Sequence, residues 1–534
     1  MGISFFRGTI SLARLVWHRE RLRIPLWLAG LVVFTLLVPG AFSELYPSQE
    51  DRAGMAETMR NPAMTALVGP GELDNYTIGA MTSHQMLLFT ALAVSLMNIL
   101  LICRHTRGDE EEGRAEMLRA LPIGRLSNLH ATLLVMASTN MILALSTGIG
   151  LYFLGIDSMS FEGSLLYGAV LGCTGLFFAG VVAVSAQLAE TSRGAMGISI
   201  AVLLVAYLTR GITDINNEKW SWLSPLGWVT KTGPYTANQW SPVLLLVAAA
   251  FVLMLVSYYL HANRDIGTGT LPSRAGRTSA GQTLKGPVAL ALKLQRTGTV
   301  AWGIGLLVMG LSYGSVLGEL EGFFDGNELL EQMLLGDGGL TLTERFLPML
   351  FVVMAILASI PPLMSILKLI GEEKKGRLDH LLGRELSRSR LMAGYLLVSA
   401  TNAFVMLSLA AIGLWATGNA AMEEGMRFWP LYSSGILYYP AILCMLGLTI
   451  LLIGFQPKYS KFIWLYLVYS FMAIYWGGLF DLPDWLSKLS PYGHVPQLPV
   501  EDMAAMPVVL LIVSALVLAV AGFIGYNRRD IQGD

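Results

Sequence analysis

The stretch RGDEEEGRAEMLRALPIGR, Arg107–Arg125, lies between two long apolar runs and combines four consecutive acidic residues with four arginines. A second stretch, GEEKKGRLDHLLGRELSRSR, Gly371–Arg390, carries a similar mixture of charges and also separates two apolar runs. The GR pair of the second stretch lies about 263 residues beyond that of the first, so the sequence indicates an internal duplication.

Further pairs of motifs support the duplication, because they occur in the same order in both halves. The members of each pair are about 263 to 275 residues apart. The pairs are SEL with GEL (Ser43–Leu45, Gly318–Leu320), EGRAEML with KGRLDHL (Glu112–Leu118, Lys375–Leu381), LSPLGW with LSPYGH (Leu223–Trp228, Leu489–His494) and NRDI with RRDI (Asn263–Ile266, Arg528–Ile531). Since an even number of spans separates corresponding motifs, we predict parallel repeats around an axis along the membrane normal.

The composition is that of an integral membrane protein. The 534 residues are 54% hydrophobic and only 14% charged, with a mean hydropathy of +0.57, whereas soluble domains contain about 25% charged residues. Apolar runs of about 20 residues are long enough to cross a membrane. They lie near residues 24–44, 84–104, 129–154, 164–187, 195–212, 241–261, 298–318, 346–369, 392–416, 429–453, 461–480 and 504–526.

These runs predict an all-α polytopic membrane protein with about twelve transmembrane helices, arranged as two parallel six-helix repeats with amphipathic surface helices. Residues 1–265 form the first half and residues 286–534 the second, each with one surface helix and six spans. Residues 266–285, rich in Gly, Ser and Thr, are expected to be a flexible cytoplasmic linker. Placing both termini in the cytoplasm puts most of the 36 lysines and arginines on the cytoplasmic side.

Several functional classes are excluded by the sequence. A net charge of −1 without a dense basic patch excludes nucleic acid as a partner. The three cysteines have no metal-ligand spacing, so we expect no metal site. The chain contains no GxxxxGK[ST] phosphate loop and no HExxH metalloprotease motif. We therefore expect a transporter rather than an enzyme.

Each charged stretch is expected to form a short amphipathic helix across the cytoplasmic mouth. In the first, Asp109 would cap a helix that begins with acidic residues and ends at Pro122. In the second, Glu372 and Glu373 would occupy the same end of the helix. Leucines at three- and four-residue spacing would form a narrow apolar ridge. The alternative is a solvated loop whose charges only set the orientation of the protein.

The order of surface helix, span, external segment, span, GRAEMLR helix (Gly113–Arg119) and LSPLGW motif resembles the permeases of type 2 ATP-binding-cassette exporters. It is most similar to the double-length, twelve-span permeases of polyketide-antibiotic exporters from Gram-positive bacteria, and the resemblance covers both halves. It implies a location in the bacterial plasma membrane and two copies of a separate ATPase subunit. This chain would hold no cofactor, since ATP and Mg would be bound by the partner.

The resemblance also assigns roles to residues. The charged stretches would be coupling helices, each of which docks into the ATPase. The second stretch has Asp379 where the first has Glu116, and Leu382 where the first has Arg119. Whether the two docking sites are equivalent therefore stays open. The coupling residues would be Glu111, Gly113, Arg114, Glu116, Leu118, Glu373, Gly376, Arg377, Asp379 and Leu381. The LSP motifs would form an external gate of Ser224, Pro225, Gly227, Ser490, Pro491 and Gly493, with cysteines at either serine accessible from outside.

Spans two and five of each half would line a central cleft, again by resemblance. The lining would consist of Met86, Phe89, Met97, Tyr207, Phe351, Met354, Tyr466, Tyr469 and Trp476. Such a surface selects by shape and apolar contact, so we expect a hydrophobic or amphipathic substrate, either an antibiotic or a lipid. Membrane lipids are further partners.

An ion-coupled secondary transporter with twelve spans is the alternative function. Carriers of that class usually hold ionisable residues within the membrane. Here the expected mid-membrane polar residues are mainly asparagines, and Asn140 and Asn402 occupy matching places where they would bond neighbouring helices. A neighbouring gene for an ATPase would favour the exporter.

Overall fold

The computed structural model describes residues 5–265, 267–271, 279, 286–317, 342–374, 376–378, 383, 386–422, 425–475, 483–501 and 503–529. Within these ranges the chain is helical and contains no strand. Eleven of the described helices are long and apolar enough to cross a membrane. The predicted all-α polytopic membrane fold is confirmed. The contacts between residues divide the chain into two compact units, Met1–Gly276 and Arg277–Asp534.

The first unit contains eleven numbered helices. They are α1 (Thr9–Arg19), α2 (Arg23–Leu45), α3 (Gln49–Met59), α4 (Pro62–Val68), α5 (Ile78–Cys103), α6 (Arg114–Arg119), α7 (Ser127–Phe153), α8 (Phe161–Leu188), α9 (Ser192–Asn216), α10 (Pro225–Thr230) and α11 (Ser241–Asn263). Helix α8 is central, since it packs against α5, α7, α9 and α11. Glycines allow this approach: a Cβ at Gly168 would overlap the Ala144 carbonyl of α7.

The second unit contains eight numbered helices. They are α12 (Pro287–Leu317), α13 (Leu342–Lys374), α14 (Arg388–Ala421), α15 (Phe428–Ile436), α16 (Tyr439–Phe455), α17 (Ile463–Tyr475), α18 (Asp484–Lys488) and α19 (Ala505–Arg528). The closest packing is between α12 and α14 and between α16 and α19. Small residues again permit it, because a Cβ at Gly310 would overlap the Ala410 carbonyl and one at Gly454 would overlap Gly522.

Each apolar run predicted from the sequence overlaps a described helix, and the run at 429–453 is divided between α15 and α16, which together are long enough for one span. The run at 461–480 corresponds to α17, whose 13 described residues are too few to count as a span. The amphipathic surface helix expected ahead of the first span is α1. The second half departs from this expectation, because α12 is one continuous helix of 31 residues with no separate surface helix within residues 286–317.

The segment after α11 also differs from the expected flexible linker. The backbone N–H groups of Thr270 and Leu271 donate to the carbonyls of Gln187 and Leu188, at 3.0 and 2.9 Å. These residues are therefore fixed against the end of α8. Most of the remaining linker lies outside the described residues.

Candidate functional site: two charged loops

The first charged loop, residues 104–126, does not form the single helix that we predicted. Helix α5 continues through a π-helical turn, Arg104–Gly108, and a short turn, Asp109–Glu111. Gly113 then adopts a φ of +72°, a left-handed conformation that breaks a right-handed helix. Helix α6 begins after Gly113 and ends at Arg119, before Pro122. The prediction that Asp109 caps this helix was wrong, whereas the helix does end shortly before Pro122.

Asp109 instead binds the surface helix. Its two carboxylate oxygens accept hydrogen bonds from the Arg19 guanidinium at 2.8 and 3.0 Å, and Arg114 Nε lies 3.0 Å away. The Asp109 side chain is buried. Hydrogen bonding to this carboxylate raises the pKa of Arg19 above its ordinary value. Asp109 therefore fastens α1 to the start of the loop.

Glu20, which follows α1, strengthens the same junction. Its buried carboxylate lies 2.9 Å from His105 Nε2 and 3.3 Å from guanidinium nitrogens of Arg23 and Arg104. The sequence analysis missed this residue, because its partners lie up to 85 positions away.

Glu110 connects the loop with the end of α11. It forms a bidentate ion pair with Arg264, with N–O distances of 2.6 and 3.1 Å, and it accepts a hydrogen bond of 2.8 Å from Arg107. The buried Arg107 guanidinium also donates to the carbonyls of Ala186 and Thr268. Glu110 and Arg107 together thus join the ends of α5, α8 and α11.

Glu111 and Glu112 complete the acidic run with two different contacts. Glu111 Oε1 accepts the backbone N–H of Ser192 at 2.9 Å, so its charge lies at the positive end of α9. Glu112 forms a local ion pair with Arg114. The acidic run is therefore a junction that fixes the surface helix and the ends of three spans.

The second charged loop is built differently. Glu372 and Glu373 are in the last turn of α13, not at the beginning of a new helix as we predicted. Negative charge at a helix C-terminus is unfavourable, and arginines offset it. Arg377 lies 3.1 Å from Glu372, and Arg529 binds Glu373 through two hydrogen bonds of 2.6 Å.

The two loops share one backbone feature. Gly376 has a φ of +64°, close to the value at Gly113. Arg377, the counterpart of Arg114, is exposed, whereas Leu378 is buried. Asp379 and Leu381 lie outside the described residues.

The outward face of α6 is partly apolar. Met117, on this helix, and Leu121, in the turn after it, expose 66% and 55% of their surface, and Glu116 is exposed beside Met117. Leu118 turns inward instead, where it lines a cavity of about 30 Å³ with Ile123. Of the residues assigned to coupling in this helix, Glu116 is exposed and Leu118 is partly buried, and the exposed Met117 is not among the residues so assigned.

Three of the residues assigned to the substrate path are buried in the cores of their units: Met97, Phe351 and Met354. They can contact a substrate only after a rearrangement. Met86, Phe89, Tyr207, Tyr466 and Tyr469 retain exposed surface. Trp476 lies outside the described residues.

The tyrosines of this group hold the segments predicted to be external. The Tyr207 hydroxyl donates to the Leu67 carbonyl at 2.9 Å. In the second unit Tyr466 and Tyr469 donate to the carbonyls of Leu489 and Leu486, at 2.6 and 2.7 Å. Aromatic residues that were expected to meet a substrate therefore also fix the turns above them.

The two LSP motifs form nearly identical turns. Ser224 and Ser490 are buried, with 1% and 0% exposure, and each hydroxyl caps the turn by accepting a backbone N–H two residues ahead. Pro225 and Pro491 occupy the first turn position, where a missing N–H costs nothing. The expectation that cysteines at the two serines are accessible was wrong, because these side chains point into the protein.

The substitution of histidine for tryptophan in the second motif preserves one hydrogen bond. Trp228 Nε1 donates to the Trp222 carbonyl at 2.7 Å, and His494 Nε2 donates to the Lys488 carbonyl at 2.7 Å. Both acceptors lie six residues earlier in the chain. The two turns are thus closed in the same way by different side chains.

A buried ion pair lies near the end of α9. Arg210 and Asp214 are fully buried, with an N–O distance of 2.9 Å. Arg210 also donates to the carbonyls of Ala66 and Leu67, and Asp214 accepts from the Ser221 hydroxyl. This pair joins α4, α9 and the turn before α10. Neither residue of this pair is among the site residues predicted from the sequence.

The amide side chains expected to bridge helices do so in the first unit. Asn98 and Asn140 exchange two hydrogen bonds of 3.1 and 2.9 Å between α5 and α7. Asn402 is buried in α14, and its Oδ1 has no hydrogen-bond partner among the described residues.

Comparison with known proteins is consistent with this architecture. The profile of the family described as "Multidrug efflux system permease Rv1217c, C-terminal domain" matches residues 11–261 and 284–527. The multidrug efflux system permease protein Rv1217c of Mycobacterium tuberculosis (strain ATCC 25618 / H37Rv) is 33% identical over 537 residues, which cover 99% of this chain and 96% of that protein. The chain belongs to the family of multidrug efflux system permeases.

Proposed function

We propose that this chain is the membrane subunit of an ATP-binding-cassette exporter, and that two copies of a separate ATPase bind its charged loops. The observation that carries the proposal is the construction of the first loop. Its acidic run is satisfied by contacts within the unit, while Met117 on α6 and Leu121 in the turn after it remain exposed. A rigidly held helix with an exposed apolar face is suited to bind a partner protein.

The sequence supports a separate subunit as the source of energy. The chain has no phosphate loop of the GxxxxGK[ST] type, so ATP and Mg would bind to the partner subunit. The chain would lie in the bacterial plasma membrane with both termini in the cytoplasm, because this orientation places most lysines and arginines inside.

The proposed substrate is a bulky hydrophobic or amphipathic compound, such as a polyketide antibiotic or a lipid. Partly exposed aromatic and methionine side chains on α5, α9 and α17 support this class, because they provide apolar contact and few fixed charges. The relative from Mycobacterium tuberculosis is named as a multidrug efflux permease, which agrees with a broad apolar specificity.

Transport into inverted membrane vesicles tests the proposal. The permease is expressed with a candidate ATPase subunit from the same organism, and accumulation of a fluorescent hydrophobic drug is measured with ATP, with a non-hydrolysable analogue and with a proton uncoupler. We expect accumulation that requires ATP hydrolysis and survives the uncoupler. Accumulation that the uncoupler abolishes, with no requirement for hydrolysis, would instead establish an ion-coupled carrier. The buried carboxylate of Asp214 is the observation that favours this alternative, because ion-coupled carriers usually hold ionisable residues within the membrane.

The docking surface is tested separately by replacing Met117 and Leu121 together with aspartate. Both side chains are exposed, so the fold should be retained while the apolar contact with the ATPase is lost. We expect the ATPase to no longer co-purify with the permease. Glu50→Lys, at an exposed position on α3, is the control and should bind normally. Reversing Glu111, Arg114 or Glu373 is less informative, because these residues hold the permease together.

A further inference from the structure

The end of α11 is tied to the first charged loop by a compact arrangement of three residues. Arg264 binds Glu110 through two hydrogen bonds of 2.6 and 3.1 Å. Arg125, at the far end of the loop, donates to the carbonyl of Arg264 at 2.7 Å. The Arg264 and Glu110 side chains are only 5% and 9% exposed. Both ends of the loop therefore bind one residue at the end of the last span.

The second unit contains the same arrangement. Arg529 binds Glu373 through two hydrogen bonds of 2.6 Å, and Arg388 donates to the carbonyl of Arg529 at 2.7 Å. Glu373 and Arg388 lie about 263 residues after Glu110 and Arg125. We name these two arrangements the first and second clamps.

The clamps explain two sequence features to which the proposed function assigns no role. The NRDI and RRDI motifs each place their arginine at the end of the last helix of a half. The second acidic residue of each charged stretch, Glu110 or Glu373, turns away from solvent to meet it, because buried carboxylates are retained where a guanidinium binds them with two hydrogen bonds. The arginine and the glutamate are thus a matched pair in both halves.

The clamps differ in one respect. In the first unit Arg107 also binds Glu110, at 2.8 Å, and donates to the Thr268 carbonyl at 2.8 Å. The corresponding residue of the second unit is Ile370, a buried apolar side chain. Glu110 therefore has two arginines, whereas Arg529 is the only arginine with a hydrogen bond to Glu373 among the described residues.

We infer that Arg264 and Arg529 are positioning residues that make each charged loop and the end of the last span of its half move as one body. This inference rests on the proposed function, in which the loops receive the motion of the ATPase. A bidentate pair that is almost excluded from water resists opening, because each charge would lose its partner. Movement of the loop would therefore be transmitted to α11 and α19, and would not be absorbed at the joint.

The test measures drug transported per ATP hydrolysed in proteoliposomes that contain the permease and its ATPase. We expect Arg529→Gln to reduce this ratio by roughly tenfold, a typical size for the coupling between two sites, while ATP hydrolysis continues. The exchange of charges in Glu373→Arg with Arg529→Glu should restore most of the ratio, which a purely structural loss would not do. Arg264→Gln should have a smaller effect, because Arg107 still holds Glu110.

Arg528→Glu is the matched control, because Arg528 is exposed and makes no contact in the clamp. This substitution changes the charge more than Arg529→Gln does. Its ratio of drug transported to ATP hydrolysed should nevertheless equal that of the wild type. A normal transport ratio in Arg529→Gln would overturn the inference. So would a lack of recovery in the variant with exchanged charges, provided that its thermal unfolding shows it to be folded. If the wild type itself shows no ATP-dependent transport, the proposed function fails, and that result is distinct from a failure of the clamps.

Discussion

At the scale of single residues, Gly227 and Gly493 show how little space the LSP turns leave. A Cβ at either position would overlap a carbonyl oxygen, that of Ser221 or Ser487 respectively. We predict that Gly227→Ala and Gly493→Ala each destabilise the protein by about 1–3 kcal/mol, the usual cost of overpacking. Thermal unfolding in detergent measures this. Gly54→Ala, on the open face of α3, meets nothing within 4 Å and should be neutral or slightly stabilising; an equal loss there would contradict the steric argument.

The ion pair of Arg210 and Asp214 gives a second prediction at this scale. Replacing only Arg210 with methionine leaves Asp214 buried without its cation, so we expect destabilisation of about 3–5 kcal/mol. The double variant Arg210→Met with Asp214→Leu removes both charges and should recover much of that loss. Chemical unfolding of the purified protein compares the two. A double variant no more stable than the single one would show that hydrogen bonds to Ala66 and Leu67, not the pair, dominate.

At the scale of elements, the surface helix α1 is held at its C-terminal end by a charged contact in addition to its buried apolar side chains. Arg19 joins it to Asp109, and charged hydrogen bonds of this kind contribute about 1.5–3 kcal/mol. We therefore predict that Arg19→Gln increases amide hydrogen exchange within Thr9–Arg19 by roughly tenfold or more. Arg14→Gln is the matched control, because Arg14 is exposed on the same helix. Equal exchange in both variants would mean that α1 is held by its apolar face alone.

The elements also show where prediction from the sequence succeeds. Hydrophobic runs predict the membrane-spanning helices well, because the hydrocarbon core has a nearly constant thickness and an α-helix has a constant rise per residue. The shape of the charged loops was harder to predict, since Glu372 and Glu373 extend α13, whereas the equivalent residues of the first unit follow a π-helical turn. Propensity and capping patterns do not distinguish these outcomes when distant arginines can stabilise either one.

At the scale of the whole molecule, the duplication was visible in the sequence but the use of its charges was not. The spacing of Arg264 and Glu110, 154 residues apart, carries no periodic signal, because the pair forms only when α5, α8 and α11 have packed. Met97, Phe351 and Met354 were assigned to the substrate path, but all three are buried in the cores of their units. Residue type predicts burial in a membrane protein poorly, since lipid-facing and core positions are both apolar.

The orientation of the molecule supplies the last prediction. If the charged loops are cytoplasmic, the segments around the LSP turns lie outside. Trp220 and Trp485 are the best reporters there, with 59% and 61% of their surface exposed. In a background without the three native cysteines, we predict that cysteines at these two positions react with a membrane-impermeant maleimide added to intact cells.

The comparison positions make this test specific. Cysteines at Ser224 and Ser490 should remain unlabelled, because both side chains are buried although they belong to the same turns. A cysteine at Met117, on the exposed face of α6, should react only after the cells are lysed, since the reagent cannot cross the bilayer. Labelling of Met117→Cys in intact cells together with protection of Trp220→Cys and Trp485→Cys would invert the topology. The exposed face of α6 would then lie outside, where no ATPase could reach it.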